Sequence, residues 1–188
     1  MFRSPHPEPK DITVPLMVDQ ECAAGGTVHR QAGVLPLVLG FGNVLLTDDG
    51  AGVHIVEQLR STLDPDLANF IDAGTMSFSL LSYIEATDSM LVIDAGELDR
   101  TPGTLGLFED AAMDEFLKSP RRRTVHEVGL IDLLDTARLL GTIPARRALL
   151  CIQPSHTGWG EALSSPVERA VPDAMRQAVA LLKRWRGQ

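Results

Sequence analysis

Apolar and polar residues alternate along the chain in blocks that favour a strand–helix–strand order. Short apolar runs at 35–39, 68–71, 90–93 and 148–152 predict four strands, of which the first is buried and the last lies in the core. Amphipathic stretches predict helices near 52–59, 78–86, 111–117, 127–140 and 166–185. The run Thr104 to Phe108 follows the turn signal Thr101-Pro102-Gly103. This run predicts an extra strand, which would be antiparallel and lie at the edge of the sheet.

This order of elements predicts an α/β fold. We expect a single-domain three-layer sandwich, in which a mostly parallel twisted sheet carries helices on both faces. Residues 1–33 lack sustained periodicity and are rich in Pro, Gly and His, so we predict a flexible N-terminal extension followed by one domain over 34–188. In such sheets the ligand site lies beyond the carboxyl ends of the strands.

Composition limits the partners and the compartment. A formal net charge of −8 argues against nucleic acid as a partner. No apolar run approaches the roughly 20 residues of a membrane span, and the N-terminal residues do not form a secretory signal. With only Cys22 and Cys151 present, we expect no disulfide and a cytoplasmic protein. We also expect a monomer when the protein is free.

The stretch between the first predicted strand and helix is acidic. Gly40 and Gly42 end the strand, and Asp48 and Asp49 precede the helix. A dinucleotide loop is disfavoured because Leu45 replaces its third glycine. The two carboxylates would also repel a phosphate by on the order of 4 kcal/mol per close pair. A cation suits this turn better, while capping of the helix by either aspartate is the structural alternative.

Polar residues just past the predicted strand ends are candidates for the site. They are Asn43, Asp48, Asp49, Asp72, Asp94, Gln153, Ser155 and His156, with His126 opening the long helix. Asp49, Asp72 and His126 would form a two-carboxylate, one-imidazole set, which suits zinc, nickel or iron with open positions. Two alternatives stay open: Asp72 could stabilise a turn before Gly74, and His126 could have no partner.

Two common hydrolase motifs are absent. His126-Glu127 is not followed by a second histidine at position 130, so H-E-x-x-H fails, and no G-x-S-x-G elbow occurs.

Four segments together form a recognisable pattern: Gly42 to Gly52 (GNVLLTDDGAG), Asp72 to Thr75 (DAGT), His126 to Leu130 (HEVGL) and Gly158 to Pro166 (GWGEALSSP). This pattern resembles that of the hydrogenase maturation endopeptidases. The resemblance runs in the same order from about Leu35 to Leu182. These proteases remove a C-terminal extension from the large subunit of nickel-iron hydrogenases after nickel has been inserted.

The resemblance implies a site and a partner. Its three metal-binding positions fall on Asp49, Asp72 and His126, which would also be catalytic, although the family often has Glu at the position of Asp49. The implied partner is a nickel-loaded large-subunit precursor, whose own nickel the protease recognises. A divalent ion bound in isolation is the other source of metal. The implied chemistry is that of an aspartyl-type or metal-assisted endopeptidase, with Asp48 left to a capping or supporting role.

Two other functions are compatible with the sequence. A nickel-dependent binding or chaperone module could recognise the precursor without cutting it, and a phosphorylase-like or other hydrolase could share the sheet. The basic run Arg121 to Arg123 is either a solvated loop or a docking patch for an acidic feature of the precursor.

Overall fold

One five-stranded sheet organises the computed structural model, which describes residues 34–75, 78–119 and 127–187. The strands are β1 (Leu37–Phe41), β2 (Asn69–Gly74), β3 (Ser89–Ala95), β4 (Leu105–Glu109) and β5 (Arg146–Ile152). Their order across the sheet is β2-β1-β3-β5-β4. The first four of these are mutually parallel, whereas β4 is antiparallel to β5 at the edge. The predicted extra edge strand is therefore confirmed.

Helices cover both faces of this sheet. In the described ranges they are α1 (Ala51–Thr62), α2 (Leu81–Glu85), α3 (Ala111–Leu117), α4 (Glu127–Leu139) and α5 (Ser165–Arg186). Short 3-10 helices occupy Thr47–Gly50 and Phe78–Leu80. One core lies between the sheet and α1 with α5, and a second lies between the sheet and α2, α3 and α4. The predicted α/β sandwich is thus confirmed.

The strand ends differ from the predicted ones. β1 runs past Gly40 to Phe41, because Gly40 lies inside the strand under α1: a Cβ on it would lie 2.4 Å from the Gly52 carbonyl oxygen. β2 and β3 likewise extend to Gly74 and Ala95. Asp72 and Asp94, predicted to follow their strands, therefore lie within the last residues of β2 and β3.

The chain segments that follow the neighbouring strands β1 and β3 lead in opposite directions across the sheet. The chain leaves β1 through α1 toward β2, on the side of the sheet that α5 also covers. From β3 it continues to the other half of the sheet, with α3 and α4 on the opposite face. Because the connections from these two strands lead to opposite halves of the sheet, a crevice opens outside the carboxyl ends of β1 and β3. Ligands bind at such a crevice in open α/β sheets.

Some predictions fall on residues that the structure does not describe. These are the extension 1–33, the basic run Arg121 to Arg123, and His126. Within the described ranges, none of the helices has the length and apolar character needed to cross a membrane.

Candidate active site

The turn after β1 folds tightly back on itself. Gly42 has φ +142°, and a Cβ there would lie 2.1 Å from the Asp49 carbonyl oxygen, so this position excludes any side chain. The Gly42 N–H donates to the Gly74 carbonyl oxygen at 2.9 Å, which joins the turn to the end of β2. The 3-10 helix Thr47–Gly50 then carries both aspartates into the protein.

Asp49 is buried, and its orientation is fixed by the turn. Its Oδ2 accepts a hydrogen bond of 2.9 Å from the Asn43 N–H. The Asn43 side chain in turn accepts the Leu45 N–H at 3.0 Å, which makes it a shaping residue of the loop. The helix α1 begins at Ala51 with Gly50 as its N-cap. Neither aspartate occupies the capping position of α1, so the capping alternative is wrong.

Asp48 fastens the loop after β5 to the turn after β1. Its buried carboxylate accepts the backbone N–H groups of Ser155, His156 and Ser164 at 2.8, 3.2 and 2.7 Å, and the Ser164 hydroxyl at 2.8 Å. Burial alone would raise the pKa of Asp48, but the donated hydrogen bonds outweigh it and hold the pKa below its ordinary value. Asp48 therefore has a supporting role, as predicted, although it supports a loop instead of capping α1.

Further hydrogen bonds, most of them between backbone groups, also link the turn after β1 to the loop after β5. We call this linkage the joint. The Thr47 N–H donates to the Gly160 carbonyl at 2.6 Å, and the Gly160 N–H donates to the Leu45 carbonyl at 3.0 Å. The Thr47 hydroxyl donates to the His156 carbonyl at 2.9 Å. Ser155 and His156 thus act through their main chain, while the His156 side chain is exposed.

Asp72 is exposed at the carboxyl end of β2. Its Oδ1 accepts the Gly74 N–H at 2.8 Å, so the predicted turn-stabilising contact is present. In the sheet register Asp72 lies opposite Gly40 of β1. This places it at the same edge of the sheet as the acidic turn.

Comparison with known proteins decides the family. A family model described as hydrogenase maturation protease (HycI) matches residues 53–181. The chain belongs to the hydrogenase maturation protease family. As a member of this family, it is a peptidase.

Named relatives and a solved structure agree with this assignment. A hydrogenase expression/formation protein HupD of Rhizobium leguminosarum bv. viciae is 32% identical over 79% of this chain and 74% of its own length. The hydrogenase 2 maturation protease of Escherichia coli K12 is 32% identical over 78% of this chain and 90% of its own. The structure of the hydrogenase maturating endopeptidase HybD from E. coli superposes with a TM-score of 0.70 at 30% identity. It covers 80% of this chain and 93% of that one.

Asp94 is a further candidate for a functional residue of this maturation protease. It is fully buried in β3, the strand on the other side of the β1–β3 crevice. The 3-10 helix that carries Asp49 contacts β3, and a Cβ on Gly52 would lie 2.2 Å from the Ile93 carbonyl oxygen. Asp49 and Asp94 are therefore buried carboxylates of adjoining segments at this crevice. The sequence indicated Asp94 as a strand-end residue, but the strand order was needed to place it at the crevice.

Gln153, another predicted candidate, has a structural role in this maturation protease, and the buried Cys151 is not a candidate nucleophile. The Gln153 side chain accepts the Leu98 N–H at 2.7 Å and donates to Glu97 at 3.2 Å, which ties β5 to the chain after β3. Burial, then the negative charges of Asp94 and Glu97, raise the pKa of the Cys151 thiol. Because the thiolate is the nucleophilic form, Cys151 is unsuited to nucleophilic catalysis.

The metal-binding trio Asp49, Asp72 and His126 stays a prediction for this family member. Over residues 34–75, 78–119 and 127–187, no three side chains of His, Cys, Asp or Glu are grouped to hold a metal ion. The trio requires His126, which lies outside those residues.

Proposed function

We propose that the chain is an endopeptidase that removes the C-terminal extension of a nickel-iron hydrogenase large-subunit precursor after nickel insertion. Membership of the maturation protease family supports this proposal. The observation that carries the site is the buried acidic turn at the β1–β3 crevice, where Asp49 is held in place by Asn43. The cytoplasmic location and monomeric state expected from the sequence belong to the same proposal.

The donor set fits a nickel ion that arrives with the substrate. Two carboxylates and the His126 imidazole supply oxygen and nitrogen ligands, which suit nickel and leave positions open for the precursor's own ligands. The ion would polarise a carbonyl oxygen next to it. A hydrogen bond to a ligating carboxylate fixes its orientation, and the Asn43 N–H does this for Asp49.

The second carboxylate is Asp72 in the predicted set, with Asp94 as its competitor. Asp72 is exposed and one of its oxygens already accepts the Gly74 N–H. Its exposure suits a residue that must meet a water molecule or the incoming peptide. Asp94 is buried on β3, as Asp49 is on the neighbouring turn, which suits a residue that holds charge in a fixed position. The two roles make different predictions for variants.

Processing assays with nickel-loaded and nickel-free precursor test the proposal. We expect the wild-type chain to trim only the loaded form, seen as a mobility shift and a mass loss. Asp49→Asn should lower the rate by about 100-fold or more. Asp72→Asn should abolish trimming with the fold intact, and Asp173→Asn, an exposed aspartate on α5, is the matched control.

The same panel decides between the two carboxylates. If Asp72→Asn trims normally while Asp94→Asn does not, the predicted ligand set is wrong at that position and Asp94 takes its place. Binding of the loaded precursor without any trimming by the wild-type chain would favour the non-cleaving module instead. Equal trimming of nickel-free precursor would contradict nickel recognition.

A further inference from the structure

Three apolar side chains are exposed on the two loops that Asp48 joins. Val44 is 38% exposed, Leu45 is 47% exposed and Trp159 is 85% exposed. We call these three residues the loop patch. Leu45 and Trp159 flank the same backbone joint, because the Leu45 carbonyl accepts the N–H of Gly160. Exposed apolar residues grouped in this way mark interaction sites more often than scattered ones do.

The loop patch is held rigidly for surface loops. Residues Leu46 and Gly160 form a parallel bridge, and the Asp48 carboxylate holds the chain on both sides of Trp159 through His156 and Ser164. The Thr47 hydroxyl adds bonds to the His156 and Gly158 carbonyls. A surface that is already ordered loses little conformational entropy when it binds, so its apolar contacts contribute more fully to affinity.

We propose that the loop patch binds an apolar side chain of the precursor segment that flanks the scissile bond. The inference rests on the proposed function. A peptide bound at Asp49 would lie against the turn that carries it, and Leu45 precedes Asp49 by only four residues in that turn. The patch carries no charge on a chain with a net charge of −8, so it selects for an uncharged residue.

The size of the patch favours a peptide segment over a second copy of the chain. An aromatic side chain offers about 150–250 Å² for burial, and the two partly exposed aliphatic residues add less than that. A stable protein–protein interface needs about 800 Å² from each partner. The loop patch alone supplies less than this, but enough for one or two side chains of an extended peptide.

Kinetics of precursor trimming test the loop patch. Trp159→Ala should raise KM about tenfold or more with kcat nearly unchanged, since truncation of a buried aromatic anchor typically costs this much affinity. Leu45→Ala should raise KM less, and Trp159→Phe should restore most of the loss. Leu139→Ala is the matched control, because Leu139 is 89% exposed at the end of α4. Thermal unfolding of each variant shows whether the fold is kept.

Binding of the loaded precursor, measured by titration calorimetry, separates this inference from the proposed function. If the wild-type chain binds without trimming, the proposed function fails, and weaker binding by Trp159→Ala still supports the loop patch. An unchanged KM or binding constant for a folded Trp159→Ala variant overturns the inference. A wild-type chain that neither binds nor trims the precursor overturns both.

Discussion

Asp48 shows how one buried carboxylate can order a loop next to the candidate site. It accepts four hydrogen bonds from a loop that follows it by 107 to 116 residues. A charged acceptor with several N–H donors forms stronger bonds than a neutral one. The position of Asp49, the next residue, depends on this arrangement because both belong to the same short 3-10 helix.

Replacement of this carboxylate by an amide should destabilise the protein. Asp48→Asn keeps the size of the side chain but turns an NH₂ group toward backbone N–H donors, so we expect a loss of about 3 kcal/mol in the free energy of unfolding. Ser164→Ala removes only one of the four bonds and should cost about 1 kcal/mol. Urea unfolding at neutral pH measures both, and equal losses in the two variants would show that the carboxylate is not the centre of the joint.

The sequence predicts the surroundings of Asp49 better than those of Asp48. The Gly-rich turn and the acidic pair are local signals, so an acidic turn between β1 and α1 could be predicted, while a cation bound at Asp49 stays a prediction. The partners of Asp48 could not, since nothing in a sequence indicates which distant N–H groups will meet a carboxylate. The position of Asp94 at the crevice could not be predicted either, because it follows from the strand order β2-β1-β3-β5-β4 and not from any local pattern.

Among the elements, α1 and the sheet are in unusually close contact. Gly40 of β1 and Gly52 of α1 face each other, and a Cβ on Gly52 would lie 2.2 Å from the Ile93 carbonyl and 2.3 Å from the Phe41 carbonyl. These contacts are with backbone atoms, which cannot turn aside as a flexible side chain can. The close contact brings the start of α1 against the ends of β1 and β3, where the candidate site lies.

A single added methyl group should therefore disturb this contact. Gly52→Ala should lower the free energy of unfolding by about 3 kcal/mol through overpacking. Gly158→Ala, in an exposed loop where the new Cβ would find only a His156 side-chain atom at 4.0 Å, should change it by less than about 0.5 kcal/mol. Chemical denaturation compares the two, and a Gly52→Ala variant as stable as the wild type would argue against this contact.

The helices and strands are largely predictable from the sequence, whereas the ends of the strands are not. Apolar periodicity placed the helix Ala111–Leu117 with the bounds that the structure has. The strand β1 was cut short at Leu39, because glycine usually indicates the end of a strand. In this fold Gly40 instead leaves room for α1, which is a tertiary reason that local propensity does not contain.

For the whole molecule, a partly buried ion-pair network links α3, α4 and β5 near the edge of the sheet. Asp114 of α3 accepts hydrogen bonds from Arg138 of α4 at 2.6 Å and from the Arg147 Nε of β5 at 3.2 Å. Burial alone would raise the pKa of Asp114, but the hydrogen bonds and positive charges of Arg147 and Arg138 outweigh it and lower the pKa below 3.8.

This network predicts how stability depends on pH. The unfolded carboxyl takes up its proton near 3.8 and the folded one at lower pH, so its stabilisation is complete above 3.8 and is lost as the pH falls through the folded pKa. Asp114→Asn should therefore cost about 2 kcal/mol at pH 7, and this difference from the wild type should shrink below pH 3.8.

Asp135→Asn is the control for this prediction. Asp135 forms an exposed pair with the same Arg138, and its loss should change stability by less than about 1 kcal/mol at any pH. Unfolding free energies measured from pH 7 to pH 2.5 compare the variants. A difference between Asp114→Asn and the wild type that stayed constant with pH would contradict the role of the ionised carboxylate.

The joint between the first turn and the last loop also sets when the protein becomes competent during its synthesis. Asp48 leaves the ribosome early, but its partner Ser164 is made 116 residues later. At about 5–20 residues per second, this interval lasts roughly 6–23 s. During this interval, a nascent chain that already contains Asp48 lacks the loop that donates hydrogen bonds to it. The acidic turn of this peptidase therefore gains its last hydrogen bonds late in synthesis, so an unfinished chain cannot present the completed candidate site to the proteins around it.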